Sequence, residues 1–216
     1  MSDSWTFDGD LRARIAGHLA AHDRQVVAEP NLSAAAVCIV LTGDAPSAPA
    51  CLFLTRRAAR MSRHAGQYAL PGGRIDAGET AEQAARRELH EELAIEAGPD
   101  QIIGALDDLP TRSGFLVTPF VIWLAPGTPV EPAPDEIAEL FRVPLTDLFA
   151  GRGRGSNRGL SAEEEAGEQV FSLFIPTLGH DLFAPTAAIL DHFRDVALLG
   201  RDTPVVRFGE PKFARQ

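Results

Sequence analysis

Glu88, Glu91 and Glu92 fall within one five-residue stretch, and on an α-helix separations of three and four residues set all three side chains within an arc of roughly 100°. Carboxylates crowded in this way repel one another and draw protons unless a cation joins them. All-oxygen ligands suit magnesium, manganese or calcium over zinc. Ala85, Leu89 and Leu93 form an apolar row beside the acids, so the cluster belongs at the edge of a core rather than on a fully solvated face. Thr80 and Gln83 have the spacing of a capping box that starts the helix.

A zone of opposite sign precedes the acids. Between Asp44 and Asp76 there is no acidic residue, whereas Arg56, Arg57, Arg60, Arg63 and Arg74 supply five cations. Arginine grips phosphate oxygens through paired hydrogen bonds, and a neighbouring metal neutralises the oxygens it does not reach. A phosphate-rich small molecule can bridge the two zones. The plainer use of such arginines is in surface ion pairs with nearby acids.

Composition narrows the classes. A chain of 216 residues, 45% hydrophobic, suffices for one well-packed domain with additions. Its formal net charge of -10 opposes general affinity for nucleic-acid backbones or anionic membrane. The longest apolar run, Ala34 to Leu41, is too short to span a bilayer, and the first ten residues lack the basic flank and apolar stretch of a signal peptide. A soluble, cytoplasmic protein is expected. Cys38 and Cys51 read as buried, reduced residues on neighbouring strands. The sequence does not specify an oligomeric state, and a homodimer is compatible with it.

The remaining elements follow from periodicity and punctuation. Leu11, Ile15 and Leu19 share one helical face, giving a helix over about residues 9 to 22. Ala34 to Leu41 reads as a buried strand and Cys51 to Thr55 as its hairpin return. Ile102 to Leu106 and Leu116 to Leu124 read as further strands, with Pro119 placed where a missing N–H is tolerated. Residues 151–168 read as a mobile loop, Val170 to Ile175 as the final strand, and Thr186 to Leu199 as a C-terminal helix with Ile189, Leu190 and Phe193 inward. Residues 1–216 are expected to form a single domain, with a helical extension over 1–25 and a tail over 201–216.

Fixed spacings around the acids carry a family resemblance. Gly73 is followed after five residues by Glu79, then after seven by Arg87-Glu88-Leu89, one spacer, Glu91-Glu92, and finally Ile95. This resembles the Nudix box of nucleoside-diphosphate-linked hydrolases. The resemblance implies an α/β/α sandwich, a mixed sheet between helices, and hydrolysis of a diphosphate with Mg²⁺ or Mn²⁺. It implies Glu88 and Glu92 as principal metal ligands, with the main-chain carbonyl of Gly73 as a partner. Glu91 is either a ligand for another cation or the base that takes the water's proton. Arg87 and Glu79 form the ion pair that orients the cluster. Where the box usually has glycine this chain has Ala94, expected to prolong the helix until Gly98-Pro99 stops it.

A narrower likeness lies upstream. Leu54, Thr55, Arg57, Arg63, Gly66, Gln67, Pro71, Gly72 and Gly73 are similar to the coenzyme A diphosphatase branch of the family, as is the segment Thr111 to Phe115. The likeness implies that Arg56, Arg57, Arg63, Gln67 and Arg74 bind a coenzyme A-like substrate, with 3',5'-ADP and (acyl-)4'-phosphopantetheine as products. Pro185 stands where the family often has glycine, and a preceding tryptophan is absent, so contacts from that end of the pocket differ. The box alone is equally compatible with ADP-ribose, NADH or dinucleoside polyphosphates. A prenyl-diphosphate isomerase shares the fold, and a nucleotide sensor without turnover is the alternative of another class. Glu139 reads either as a ligand for a second metal or as a structural residue, and His64 as a bystander.

Overall fold

A computed structural model describes residues 5–58, 66–153 and 171–205. Arg60, Arg63, His64, most of the 151–168 loop and the tail beyond residue 205 lie outside the described residues. At the centre is β1 (Ser33–Thr42), which is buried on both faces. Its Ala35, Ile39 and Leu41 enter one core and Ala36, Cys38 and Val40 the other, as a strand covered on both sides requires. β2 (Cys51–Arg57) returns antiparallel to β1 and pairs along its other edge with β8 (Ile137–Pro144). β7 (Phe115–Trp123) runs parallel to β1 from Ser33↔Phe115 to Leu41↔Trp123.

Shorter strands complete this mixed, eight-stranded sheet. β3 (Tyr68–Ala69) extends β2, β4 (Gly72–Arg74) pairs with β1, and β5 (Ile102–Ala105) and β6 (Leu109–Pro110) both pair with β7. Pro119 accepts at its carbonyl from the Leu106 N–H, between the β5 and β6 pairings. Its nitrogen therefore faces the gap where the partner edge leaves the sheet, and no ladder bond is lost.

Among the described residues, three α-helices cover the sheet. α2 (Ala81–Leu93) buries Ala84, Ala85, Leu89 and Leu93 on the Cys38 side. α1 (Gly9–Ala21) buries Leu11, Ile15 and Leu19 on the opposite side, with Ile189, Leu190 and Phe193 of α3 (Thr186–Phe193). Each such leucine, isoleucine or phenylalanine contributes about 1.5–3 kcal/mol by leaving water. Asp8 caps α1 by accepting from the Leu11 N–H at 2.8 Å, and the Thr80–Gln83 capping box of α2 is formed in both directions. No helix among the described residues is long and apolar enough to cross a membrane.

Two expectations are corrected. α2 does not continue through Ala94: it ends at Leu93, and Ala94 takes the left-handed conformation at φ 55 with its N–H on the His90 carbonyl. Ile95, only 1% exposed, is drawn into the core below the helix, and that burial outweighs the roughly 1–2 kcal/mol cost of a left-handed alanine. Nor is the strand at Ser172–Ile175 the last one. A small antiparallel sheet joins β9 (Arg152–Gly153), β10 (Ser172–Ile175) and β11 (His180–Phe183). In β11 only Leu182 is buried, so no alternating apolar signal announces it. The C-terminal helix also changes pitch, becoming a π-turn over Arg194–Leu198.

Candidate active site

The glycine turn lies directly against the acid-bearing face of α2. The Gly72 N–H donates to Glu92 Oε2 at 3.1 Å, and a Cβ at position 73 would overlap the Glu88 carboxylate. Glycine at 73 is therefore what allows main chain and carboxylate to meet. On the other side of Glu92, the Arg57 guanidinium lies 3.6 Å from Oε1. The Glu92 side chain is only 2% exposed.

Burial pushes the Glu92 carboxyl up to about 8, the Gly72 N–H and Arg57 opposing the rise and the charges of Glu88 and Glu136 adding to it. Burial also pushes Glu88 up, although hydrogen bonding from Arg87 pulls it down. Two neighbouring carboxyls thus resist ionisation, because burial and nearby carboxylate charge outweigh the arginines beside them. Glu88, Glu92 and the Gly73 main chain offer only oxygen donors, the kind that a hard divalent ion takes.

Arg87 organises the remaining acids. Its Nε and Nη2 donate to the two oxygens of Glu79 at 3.0 and 3.1 Å, and Nη1 donates to Glu88 at 2.8 Å and to Glu91 at 3.0 Å. Nη2 also donates to the Arg74 carbonyl at 2.9 Å, which ties the β4 end to the helix. Hydrogen bonding from Arg87 holds Glu79 below the usual carboxylate range. Glu91 sits at the exposed margin, its side chain 51% exposed.

Glu88 and Glu92 open onto a cavity of about 720 Å³. Arg57, Gln67 and Arg74 also line it, and Arg74 lies over the Phe115 ring at 5.2 Å. Thr111, Ser113 and Phe115 line it as well, which brings the segment after β6 to the site. Arg56 is not among the lining residues: its guanidinium donates to Glu139 on β8 at 2.9 Å. That pair accounts for Glu139 too. Arg63 lies outside the described residues.

Two parts of the cavity, Glu136 and strand β11, carry no distinctive short-range signal in the sequence. Glu136, just before β8, lines it, and its charge is felt by both Glu88 and Glu92. The one available signal was its place in the acidic run Asp135-Glu136, which periodicity does not distinguish from a turn. The far wall comes from β11 and the start of α3, including Leu182, Ala184 and Ile189. Pro185 and Thr186 lie in the same wall, at the end of the pocket where the chain departs from the family pattern, whereas no motif marks β11 itself.

A mixed sheet between helices, with paired acids on one helix against a glycine turn and an arginine-bearing cavity, defines an α/β domain with a candidate site for an anionic ligand. The chain belongs to the Nudix family: the NUDIX domain model matches residues 32–163. It is 46% identical over 100 residues to a protein of Pectobacterium atrosepticum described as an uncharacterized Nudix hydrolase NudL, covering 46% of this chain and 52% of the relative. A protein of the same description from Citrobacter koseri is 40% identical over 99 residues, covering 45% and 52%. The matches thus span about half the length of these curated relatives. Among solved structures, a MutT/nudix family protein from Enterococcus faecalis is 15% identical, covers 79% of this chain and 64% of its own, and has a TM-score of 0.49.

Proposed function

We propose that this domain hydrolyses the diphosphate of a nucleoside diphosphate derivative, with coenzyme A or an acyl-coenzyme A as substrate. The observation that carries the reading is the reluctantly ionised pair of half-buried Glu88 and buried Glu92, facing a cavity that also presents Arg57, Gln67 and Arg74. Glu88, Glu92 and the Gly73 carbonyl would hold Mg²⁺ or Mn²⁺, which would supply positive charge to the diphosphate oxygens and acidity to a water.

The chain's own groups do the rest. Arg57 and Arg74 grip phosphate oxygens and Gln67 adds a neutral donor and acceptor. Arg87 positions Glu88 and Glu91 while Glu79 fixes Arg87 from behind. Glu91 or Glu136 accepts the water's proton, both being carboxylates beside the metal-binding pair. The apolar wall of Leu182, Ala184 and Ile189 supports a substrate with an extended, weakly polar arm beyond its diphosphate. Coenzyme A has such an arm, and its additional 3'-phosphate gives the arginine-rich segment a second anion to hold.

Incubation with Mn²⁺ and a panel of coenzyme A, ADP-ribose, NADH and a dinucleoside polyphosphate, followed by product separation, tests the reading. Release of 3',5'-ADP and 4'-phosphopantetheine from coenzyme A is expected. Survival of coenzyme A while ADP-ribose is cleaved would overturn the substrate assignment and leave the diphosphate chemistry standing.

A further inference from the structure

On the face of the sheet opposite α2, three side chains distant in sequence converge: His22 after α1, Asp107 between β5 and β6, and His192 on α3. One ligand atom from each lies within 4.8 Å of the other two. All are buried, with side-chain exposures of 2%, 0% and 3%. None belongs to the acidic box, and residues 22 and 192 lie outside the stretch 32–163 that matches the family.

Hydrogen bonding within the protein leaves this cluster incomplete. His22 Nδ1 lies 2.7 Å from Asp202 Oδ1, and His22 Nε2 lies 2.8 Å from Asp107 Oδ1. A neutral imidazole has one N–H and cannot donate to both carboxylates. His192 Nε2 faces Asp107 Oδ2 at 3.5 Å, yet it is buried without a hydrogen-bond partner. Two imidazole nitrogens thus point at one buried carboxylate: a neutral His22 can serve only one of its two carboxylate neighbours, and His192 Nε2 has no hydrogen-bond partner.

Asp107 is itself well held. The Gln25 N–H donates to Oδ1 and the Val205 N–H to Oδ2, each at 2.9 Å. Asp202, facing His22 from the other side, is 70% exposed, so the cluster reaches the surface there. An outer carboxylate on the far nitrogen of a histidine, and main-chain donors behind a carboxylate, are the supports that metal ligands take.

The geometry points to a second metal site, distinct from the acidic box, in which His22 Nε2, His192 Nε2 and Asp107 bind a zinc-class divalent ion. Two imidazoles and one carboxylate suit zinc and its first-row neighbours, not magnesium. Such an ion ties α1, the β5–β6 connection, α3 and the returning segment 201–205 to one point. It fastens the elements that flank the family-matched region.

The test uses the full chain carrying Glu88→Gln and Glu92→Gln, so that the box does not contribute zinc. After chelator treatment and dialysis against Zn²⁺, metal analysis should find about one zinc per chain, as expected of a closed imidazole and carboxylate site. X-ray absorption should show imidazole scattering around that zinc. Adding His192→Gln, with cooperative thermal unfolding retained, should reduce retained zinc at least tenfold. Zinc content unchanged by His192→Gln would overturn the site, as would no retained zinc with the three residues intact. Should His192→Gln fail to fold, the absorption spectrum of the triad-intact protein decides: zinc without imidazole ligation would overturn it.

Discussion

Glu92 and Asp107 are both buried carboxylates, set on opposite faces of one sheet, and they are treated in opposite ways. Glu92 receives one main-chain N–H and an arginine at 3.6 Å, and burial wins, leaving its carboxyl at about 8. For Asp107 burial also pushes upward, but the N–H groups of Gln25 and Val205, with His22, outweigh it and hold the carboxyl below its ordinary range. The balance between the cost of burial and the donors set against it decides whether a buried acid is ionised in advance. In the proposed reading, the first arrangement awaits a hard cation and its phosphate ligand. The second offers a ready anion flanked by nitrogen ligands.

The largest expected break in this comparison is Glu92→Gln. It should lower hydrolysis about a thousandfold, several kcal/mol of transition-state stabilisation, while near-UV circular dichroism stays unchanged. Arg87→Ala should cost about 10–100-fold, mainly in kcat, because it disorders carboxylates rather than removing them. Arg57→Ala should raise KM about tenfold, whereas Arg56→Ala, whose guanidinium is engaged by Glu139, should stay within about twofold. Steady-state kinetics with the identified substrate checks all four.

A pH titration of stability sharpens the same contrast. For the metal-free protein the Glu92 carboxyl is at about 8 folded, against 4.5 ordinarily. The folded state therefore binds the proton more tightly. The contribution is fully present below 4.5 and is lost as pH rises through about 8. Urea midpoints should fall across that window, Glu92→Gln should flatten the fall, and saturating Mn²⁺ should restore the midpoint at pH 8. The smallest effect is Ala94→Gly, which relieves the left-handed alanine and should stabilise by about 1 kcal/mol, raising Tm by roughly 2–4 °C.

How far the sequence could be read follows from how locally each feature is encoded. Glu88 and Glu92 share one helical face, and Thr80 and Gln83 announce where that helix begins, so the acid cluster was visible as spacing alone. The central strands were visible because Ala34 to Leu41 is apolar throughout and Leu116 to Leu124 is apolar except at Thr118. Ala94 was misjudged because helix propensity speaks for alanine, while the burial of Ile95 that ends the helix is a tertiary effect. Glu136, β11 and the His22, Asp107 and His192 cluster were not legible. Each depends on chain segments brought together by the sheet, and no short-range pattern records which distant residues will meet.

Anomalous diffraction from a crystal of the full chain soaked in Mn²⁺ tests the central claim most directly. The expected result is a manganese peak bound by the carboxylates of Glu88 and Glu92 and by the carbonyl of Gly73. Absence of any peak among those groups, with manganese bound elsewhere on the chain, would contradict the account.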